Sequence, residues 1–328
     1  EVLLETNGSL PIDTLDPRVI RIVDIKCPSS GEAGCFHWPN LDTLRSHARK
    51  ASEDGFTGWW LAQVGVTDVL TVITAVADSA PGIEMGTAVI PTWPRHPSML
   101  AAQALTTQAA IGGRLQLGIG LGHKPQVEDG WGMEWDRPVR HLIDYLEILN
   151  SLMNTGHANY KGEKFTLINQ PAARITEEAP ALLIAALGEQ VLRVAGKRAD
   201  GTILWMVGEK TIEEHIAPRI QDAAAEADRP SPRIVCSLPV CITDDTAPVR
   251  AFADEVLEIY GVLPSYRAML DREGAAGPSD VSLFGSEEQV GERIAALKAA
   301  GTTEFAALEF GLNDVDLART RAFLKTLM

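Results

Sequence analysis

GRLQLGIGLGHKP (Gly113 to Pro125) runs from an apolar stretch into three alternating glycines, Gly118, Gly120 and Gly122, and then His123. An imidazole at that point could hydrogen-bond a ligand or exchange a proton near neutral pH. The plain alternative is a histidine bonded within the core or at the surface, and residue type leaves both open. The glycines do not make a dinucleotide fingerprint, because no third glycine falls where GxGxxG requires it. They mark either a strand end that needs close packing or a place where the backbone approaches a planar cofactor, with Leu121, Gly122 and His123 lining it. Gln63, which closes TGWWLAQ, cannot transfer a proton, so its amide can only donate and accept hydrogen bonds.

Further candidates are anion contacts. Ala185, Ala186, Leu187 and Gly188 form a run of mostly small residues leading into a helix, where free N–H groups at the positive end of the dipole suit a phosphate. A tight turn would explain Gly188 but not the whole run. Arg137 and Arg140, followed by His141, occupy the first turn of an amphipathic helix, where the dipole disfavours cations unless an anion is near. Solvated charge is the commoner explanation for such a pair. Lys124 directly follows the glycine loop, and Arg95 and His96 are either anion contacts or the lead into a helix. No HExxH, CxxC, DxDxDG or nucleophile-elbow pattern occurs, so no metal site is expected.

The elements that must hold these residues follow from periodicity. β-Branched runs alternate with segments of helical period, the cadence of βα units around a parallel sheet. The expected strands are Val19 to Lys26, Thr57 to Ala62, Ile83 to Ile90, Arg114 to Gly120, Ala181 to Leu187, Gly201 to Met206, Arg233 to Thr243 and Glu304 to Phe310. Helices are expected near Asn40 to Asp54, Asp68 to Asp78, Pro97 to Ile111, Arg137 to Met153, Glu189 to Arg198, Thr211 to Glu226, Pro248 to Tyr260, Glu287 to Ala300 and Asp314 to Leu327, with Asn40 as a cap. Eight repeats predict an α/β fold, a (β/α)8 TIM barrel, whose catalytic groups come from the carboxyl ends of its strands. Asn159 to Leu167 reads as a hairpin insertion, and Pro264 to Ser282, with Gly274, Gly277 and Pro278, as a long excursion over one mouth. Trp59 and Trp60 point to opposite faces of one strand, so at most one faces the interior.

The 328 residues carry 44 acidic against 29 basic side chains, a formal charge of −15, opposite to the footprint of a nucleic-acid or anionic-membrane binder. No apolar stretch approaches the roughly 20 residues of a membrane span. Four scattered cysteines, Cys27, Cys35, Cys236 and Cys241, make no disulfide framework, and a cytoplasmic setting is expected. The expected partners are a small-molecule substrate and, of proteins, a second copy in a homodimer, without nucleic acid or membrane.

GTAVIPTWPRHP (Gly86 to Pro97), the glycine loop with DRPVRHLIDYLEIL (Asp136 to Leu149), ALGEQVLRVAGKRADGTILWM (Ala186 to Met206) and LPSYRAMLDREG (Leu263 to Gly274) together resemble the luciferase-like flavin and deazaflavin oxidoreductases, specifically those that use coenzyme F420. The resemblance runs from about Ala48 to the C-terminus. It implies a bacterial-luciferase-like barrel and hydride transfer between the deazaflavin and a small organic substrate. It also implies a non-proline cis peptide at Ala88 and Val89 behind the ring, a phosphate at Ala185 to Gly188, and contacts from Gly120, Leu121, Gly122, Lys124, Arg137 and Arg140. His123 and Gln63 stand where the reaction would occur. An FMN-dependent monooxygenase is the nearest alternative, and a catalytically idle barrel acting as a binding protein is another. Residues 1–47 are atypical: Glu5 to Glu32 and Trp38 to His47 resemble an internal piece of 7-carboxy-7-deazaguanine synthase, as in a chimera. Cys27 and Cys35 do not supply the three close thiolates of that enzyme's iron–sulfur cluster. Within this segment Val19 to Lys26 is expected to supply the first barrel strand to a luciferase-like domain spanning 48–328.

Overall fold

The computed structural model describes residues 3–6, 20–23, 39–63, 68–171 and 176–328. Two short strands, β1 (Leu3–Thr6) and β2 (Ile20–Val23), precede helix α1 (Pro39–Glu53). Repeated units follow: β3 (Gly58–Leu61), α2 (Val69–Val76), β4 (Glu84–Thr87), β5 (Ile90–Pro91), α3 (Pro97–Ala110), β6 (Leu115–Gly120) and α4 (Pro138–Thr155). The hairpin of β7 (His157–Lys161) and β8 (Thr166–Pro171) interrupts them before β9 (Ala181–Ile184), α5 (Glu189–Arg198) and β10 (Gly201–Trp205). Next, α6 (Glu209–Thr211) passes through a π turn at Ile212–Ile216 into α7 (Ala217–Ala225), and β11 (Arg233–Ile242) leads to α8 (Thr246–Val256). After α9 (Glu258–Val262), the excursion is helical, as α10 (Pro264–Glu273) and α11 (Pro278–Val281). The chain closes with β12 (Leu283–Gly285), α12 (Glu287–Ala299), β13 (Glu304–Glu309) and α13 (Asp314–Lys325).

Strands β3, β4, β6, β9, β10, β11 and β13 pair in parallel in that order, a nearly closed barrel surrounded by helices. Alternation along each strand sorts side chains between two cores. Leu183, Ile203 and Val235 meet inside the barrel with Trp60, Ala88, Val89, Ala185 and Ala306. Their neighbours Leu182, Ile184, Leu204, Ile234 and Cys236 turn outward into the larger core beneath the helices, as does Trp59. Trp60 is therefore the interior member of the tryptophan pair.

Local chemistry fixes the helix starts. Asp68 caps α2 by accepting from Thr71 N at 2.8 Å, and Ser286 with Gln289 forms a capping box on α12. Pro97 and Pro138 begin α3 and α4, where a missing N–H costs nothing. The same tolerance makes Pro39 the first residue of α1, so Asn40 falls inside the helix rather than capping it.

Of the strand expected over Val19 to Lys26, only residues 20–23 are described; the rest lies outside the described residues. Ile20–Val23 pairs in parallel with Leu3–Thr6, in register from Leu3↔Ile20 to Thr6↔Val23, in a two-stranded sheet separate from the barrel. β-Branched residues favour a strand without specifying which edge it joins. Between β13 and β3, ion pairs link the neighbouring elements. Arg321 of α13 binds Asp54 at 2.8 Å and Glu309 at 2.8 Å, and Lys325 binds Asp54 at 2.8 Å. At the amino ends of the strands Arg233 donates to both oxygens of Glu304, at 2.6 and 2.7 Å, and to Gln116, with Glu84 at 3.5 Å.

Candidate active site

The opposite mouth, at the carboxyl ends of the strands, gathers most of the residues singled out from sequence. Thr87 joins β4 to β6 by donating to Gly118 O at 2.7 Å and accepting from Gly118 N at 2.8 Å. A Cβ at Gly118 would collide with the Thr87 carbonyl oxygen, so this approach requires glycine. The Ala88–Val89 peptide that follows is cis. A Cβ at Gly120 would stand 2.8 Å from Val89 Cγ2 and 3.2 Å from Ala185 Cβ. Val89, Gly120 and Ala185 thus form one shallow cradle across three neighbouring strand ends, with Val89 and Ala185 half-buried. Trp60 lies below it over Gly86, where a Cβ would strike the indole.

Leu121, Gly122 and His123 rim the cradle, all half-buried, with Gly122 at φ 69°. His123 O accepts from Val127 N at 3.0 Å, which starts the turn leading toward Trp131. Its ring lies 5.7 Å from the Tyr266 ring, and burial pushes its pKa down, so it is neutral at pH 7 and able to accept a proton or hydrogen bond. Gln63 reaches the end of β3 with Oε1 buried and without a hydrogen-bond partner among the described residues. Lys124 is exposed and stands 3.7 Å from Glu128.

At the next strand end Ala185 N donates to Ile119 O at 2.8 Å, which fixes the backbone beside the glycine loop. Ala186 is fully buried and packs outward, so only its backbone belongs to the mouth. Leu187 O accepts from His215 Nε2 at 2.8 Å. Among the described residues, Gly188 caps α5 with no side-chain bond to the first turn, and a Cβ there would meet nothing within 4 Å. The positive end of that helix therefore opens on the mouth beside the small-residue run.

Arg137 and Arg140 are brought instead to the hairpin. Arg137, at φ 50°, pairs with Glu163; Arg140 binds Asp144 at 2.6 Å and Glu163 at 3.4 Å. These carboxylates are the anions that make two cations tolerable in the first turn of α4. Arg95 likewise pairs with Asp68 at 2.7 Å, and His96 caps α3 through Ser98, so both serve the start of a helix. His141 is buried, shares a hydrogen bond with Thr92 Oγ1 at 3.0 Å and stacks at 3.9 Å on Trp93, which stacks in turn on Trp135. Trp135 is half-buried in this stack. Trp205, Tyr260, Tyr266 and Glu273 complete the mouth without having been singled out by spacing. Within the quoted LPSYRAMLDREG, only an aromatic and an acid on a helix over the mouth pointed to the last two.

Among the described residues no group of three His, Cys, Asp or Glu side chains could hold a metal ion, and no helix is long and apolar enough to cross a membrane. Cys236 and Cys241 are buried free thiols, and burial pushes Cys241 up to about 12.

A parallel barrel with a glycine-lined cradle at its carboxyl mouth defines a TIM-barrel protein. The chain belongs to the luciferase-like monooxygenase family, whose model matches residues 24–304. That match begins inside the atypical segment, earlier than the resemblance from Ala48. An F420-dependent glucose-6-phosphate dehydrogenase of Mycolicibacterium smegmatis is 28% identical over 189 residues, 56% of each chain. The coenzyme F420-dependent tetrahydromethanopterin reductase of Methanopyrus kandleri shares the fold, with TM-score 0.72 at 20% identity over 86% of this chain and 93% of that one. So does an FMN-bound type II Baeyer–Villiger monooxygenase of Pseudomonas putida, with TM-score 0.69 at 18% identity over 87% and 92%.

Proposed function

We propose that this chain is an oxidoreductase that uses coenzyme F420 to move hydride to or from a small organic substrate. The observation that carries the reading is the Val89, Gly120 and Ala185 cradle, which a single added methyl at Gly120 would fill. The relatives named for F420 support it. When bound, the coenzyme would supply hydride transfer at C5 of its deazaflavin. The chain's own residues would bind and orient it. The cradle takes the ring face, and the free N–H groups at Gly188 and the first turn of α5 take the phosphate. Leu121 and Gly122 exclude water along the edge. Neutral His123 would hold or accept a proton at its imidazole, and Gln63 would offer an amide without proton transfer. The buried thiols suit a cytoplasmic setting.

Titration of the purified protein tests this directly. F420 fluorescence should be quenched saturably while FMN is not bound. FMN binding with oxygen consumption would favour the monooxygenase reading instead, and binding of neither would leave an idle barrel.

A further inference from the structure

We propose that the substrate side of this mouth takes a neutral, ring-bearing carbonyl compound or alcohol, its oxygen hydrogen-bonded by the Tyr266 hydroxyl beside His123, and that it rejects phosphorylated substrates. The inference rests on the oxidoreductase reading above and names the substrate class of that site.

The first support is an aromatic wall assembled from three separate elements. Trp205 at the end of β10 meets Tyr260 of α9 edge-on at 5.9 Å; Tyr260 meets Tyr266 of α10 edge-on at 4.9 Å; Tyr266 reaches His123. All four residues are half-buried. Edge-to-face packing of this kind makes a rigid apolar surface that suits another ring. Among the described residues neither the Tyr266 hydroxyl nor the His123 ring makes a hydrogen bond. Burial raises the Tyr266 pKa, so the hydroxyl stays protonated and available as a donor at neutral pH. A ligand oxygen between these two rings would meet a hydroxyl donor on one side and a neutral imidazole on the other.

The second support is a contrast between two helix starts. After β9 the first turn of α5 has no side-chain cap among the described residues and is open to an anion. After β10 the equivalent place is filled. Glu273, from the excursion, accepts from Thr211 N at 2.8 Å, Thr211 Oγ1 at 2.6 Å and Lys210 N at 3.2 Å. A Cβ at Gly208 would collide with that carboxylate, so the loop is shaped to admit it. Alongside, Arg293 is committed to both oxygens of Glu209, at 3.0 and 2.9 Å. A phosphate could enter at this helix start only by displacing Glu273, and would then bear its repulsion at short range. The open helix end serves the coenzyme, and the filled one excludes a second anion.

Calorimetry on protein loaded with F420 tests the proposal, with coenzyme binding read beforehand by fluorescence. The probes are cyclohexanone, acetophenone and benzyl alcohol against glucose 6-phosphate and inorganic phosphate. At least one ring compound should bind saturably and lose about tenfold in affinity in Tyr266→Phe, which keeps the ring contact with Tyr260. F420 affinity and the thermal melt should be unchanged in that variant. Neither phosphate should bind saturably up to about 10 mM. Saturable binding of glucose 6-phosphate, equal affinity of the ring compound for parent and Tyr266→Phe, or no ring compound bound by F420-loaded protein would each overturn it. Failure of F420 itself to bind would instead overturn the cofactor reading.

Discussion

His123 carries the most chemistry of any single residue at the mouth, because it is half-buried, neutral at pH 7 and adjacent to the glycine cradle. Replacing it with Ala should lower turnover by roughly 100-fold while F420 affinity changes less than about threefold, the signature of an interaction made mainly in the transition state. Steady-state kinetics with a fluorescence titration decide this, and equal turnover would remove His123 from the site. His141 does a different job. Burial first, and the Lys164 cation second, push its pKa down to about 4, against the opposing pull of Asp144. In the unfolded chain it protonates near 6.5, so between pH 6.5 and 4 the unfolded state binds more protons than the folded one. Its contribution is therefore complete above about pH 6.5 and is lost as pH falls, by about 3 kcal/mol at most. Urea unfolding from pH 7 to 4 should show a shallower acid limb in His141→Gln than in the parent.

At the scale of elements, the β7–β8 hairpin is fastened to α4 through one buried carboxylate. Asp144 accepts from Tyr160 OH at 2.8 Å and Lys164 N at 2.7 Å, and pairs with Arg140 at 2.6 Å. A Cβ at Gly162 would collide with it, so the hairpin turn is shaped around that group. Asp144→Ala should cost about 2 to 4 kcal/mol of stability, since it leaves the half-buried Tyr160 hydroxyl and Lys164 N–H without their acceptor and Arg140 with Glu163 alone. Arg140→Gln should destabilise less and change F420 affinity by under about threefold, as expected of a clamp rather than a coenzyme contact. A tenfold weakening of coenzyme binding with stability unchanged would return Arg140 to the cofactor site.

For the whole molecule, the seam between β13 and β3 is bridged by charge. Lys325 and Arg321 hold the Asp54 carboxyl well below the usual range, while Arg321 also reaches Glu309 and lies 4.9 Å over the Phe56 ring. Arg321→Ala removes all three contacts at once and should lower unfolding free energy by about 2 kcal/mol. Because the Asp54 pKa is depressed by folding, its part of that stability is present at neutral pH and fades as pH drops below about 3.8. Denaturant titrations of parent and variant at pH 7 and pH 3 check both statements; a gap that stays the same at pH 3 would count against the Asp54 contribution.

Local pattern alone determined much of this protein. The period-two runs from Gly58–Leu61 to Glu304–Glu309 and the helices between them were legible because strand and helix preferences act over a few neighbouring residues. The glycines at 118 and 120 signalled close backbone approach, and Gly122 a positive φ, for the same reason. Tertiary structure decided what those elements bring together. Tyr266 and Glu273 reach the mouth because the excursion folds back over strands that precede it far along the chain. Arg137 and Arg140 turn to Glu163 and Asp144 because the hairpin lands on α4, and Ile20–Val23 pairs with Leu3–Thr6 although its residues suit any parallel edge. Such contacts depend on the closure of a barrel, a property of the whole chain in space, whereas sequence spacing records only what each residue does within a few steps of its neighbours.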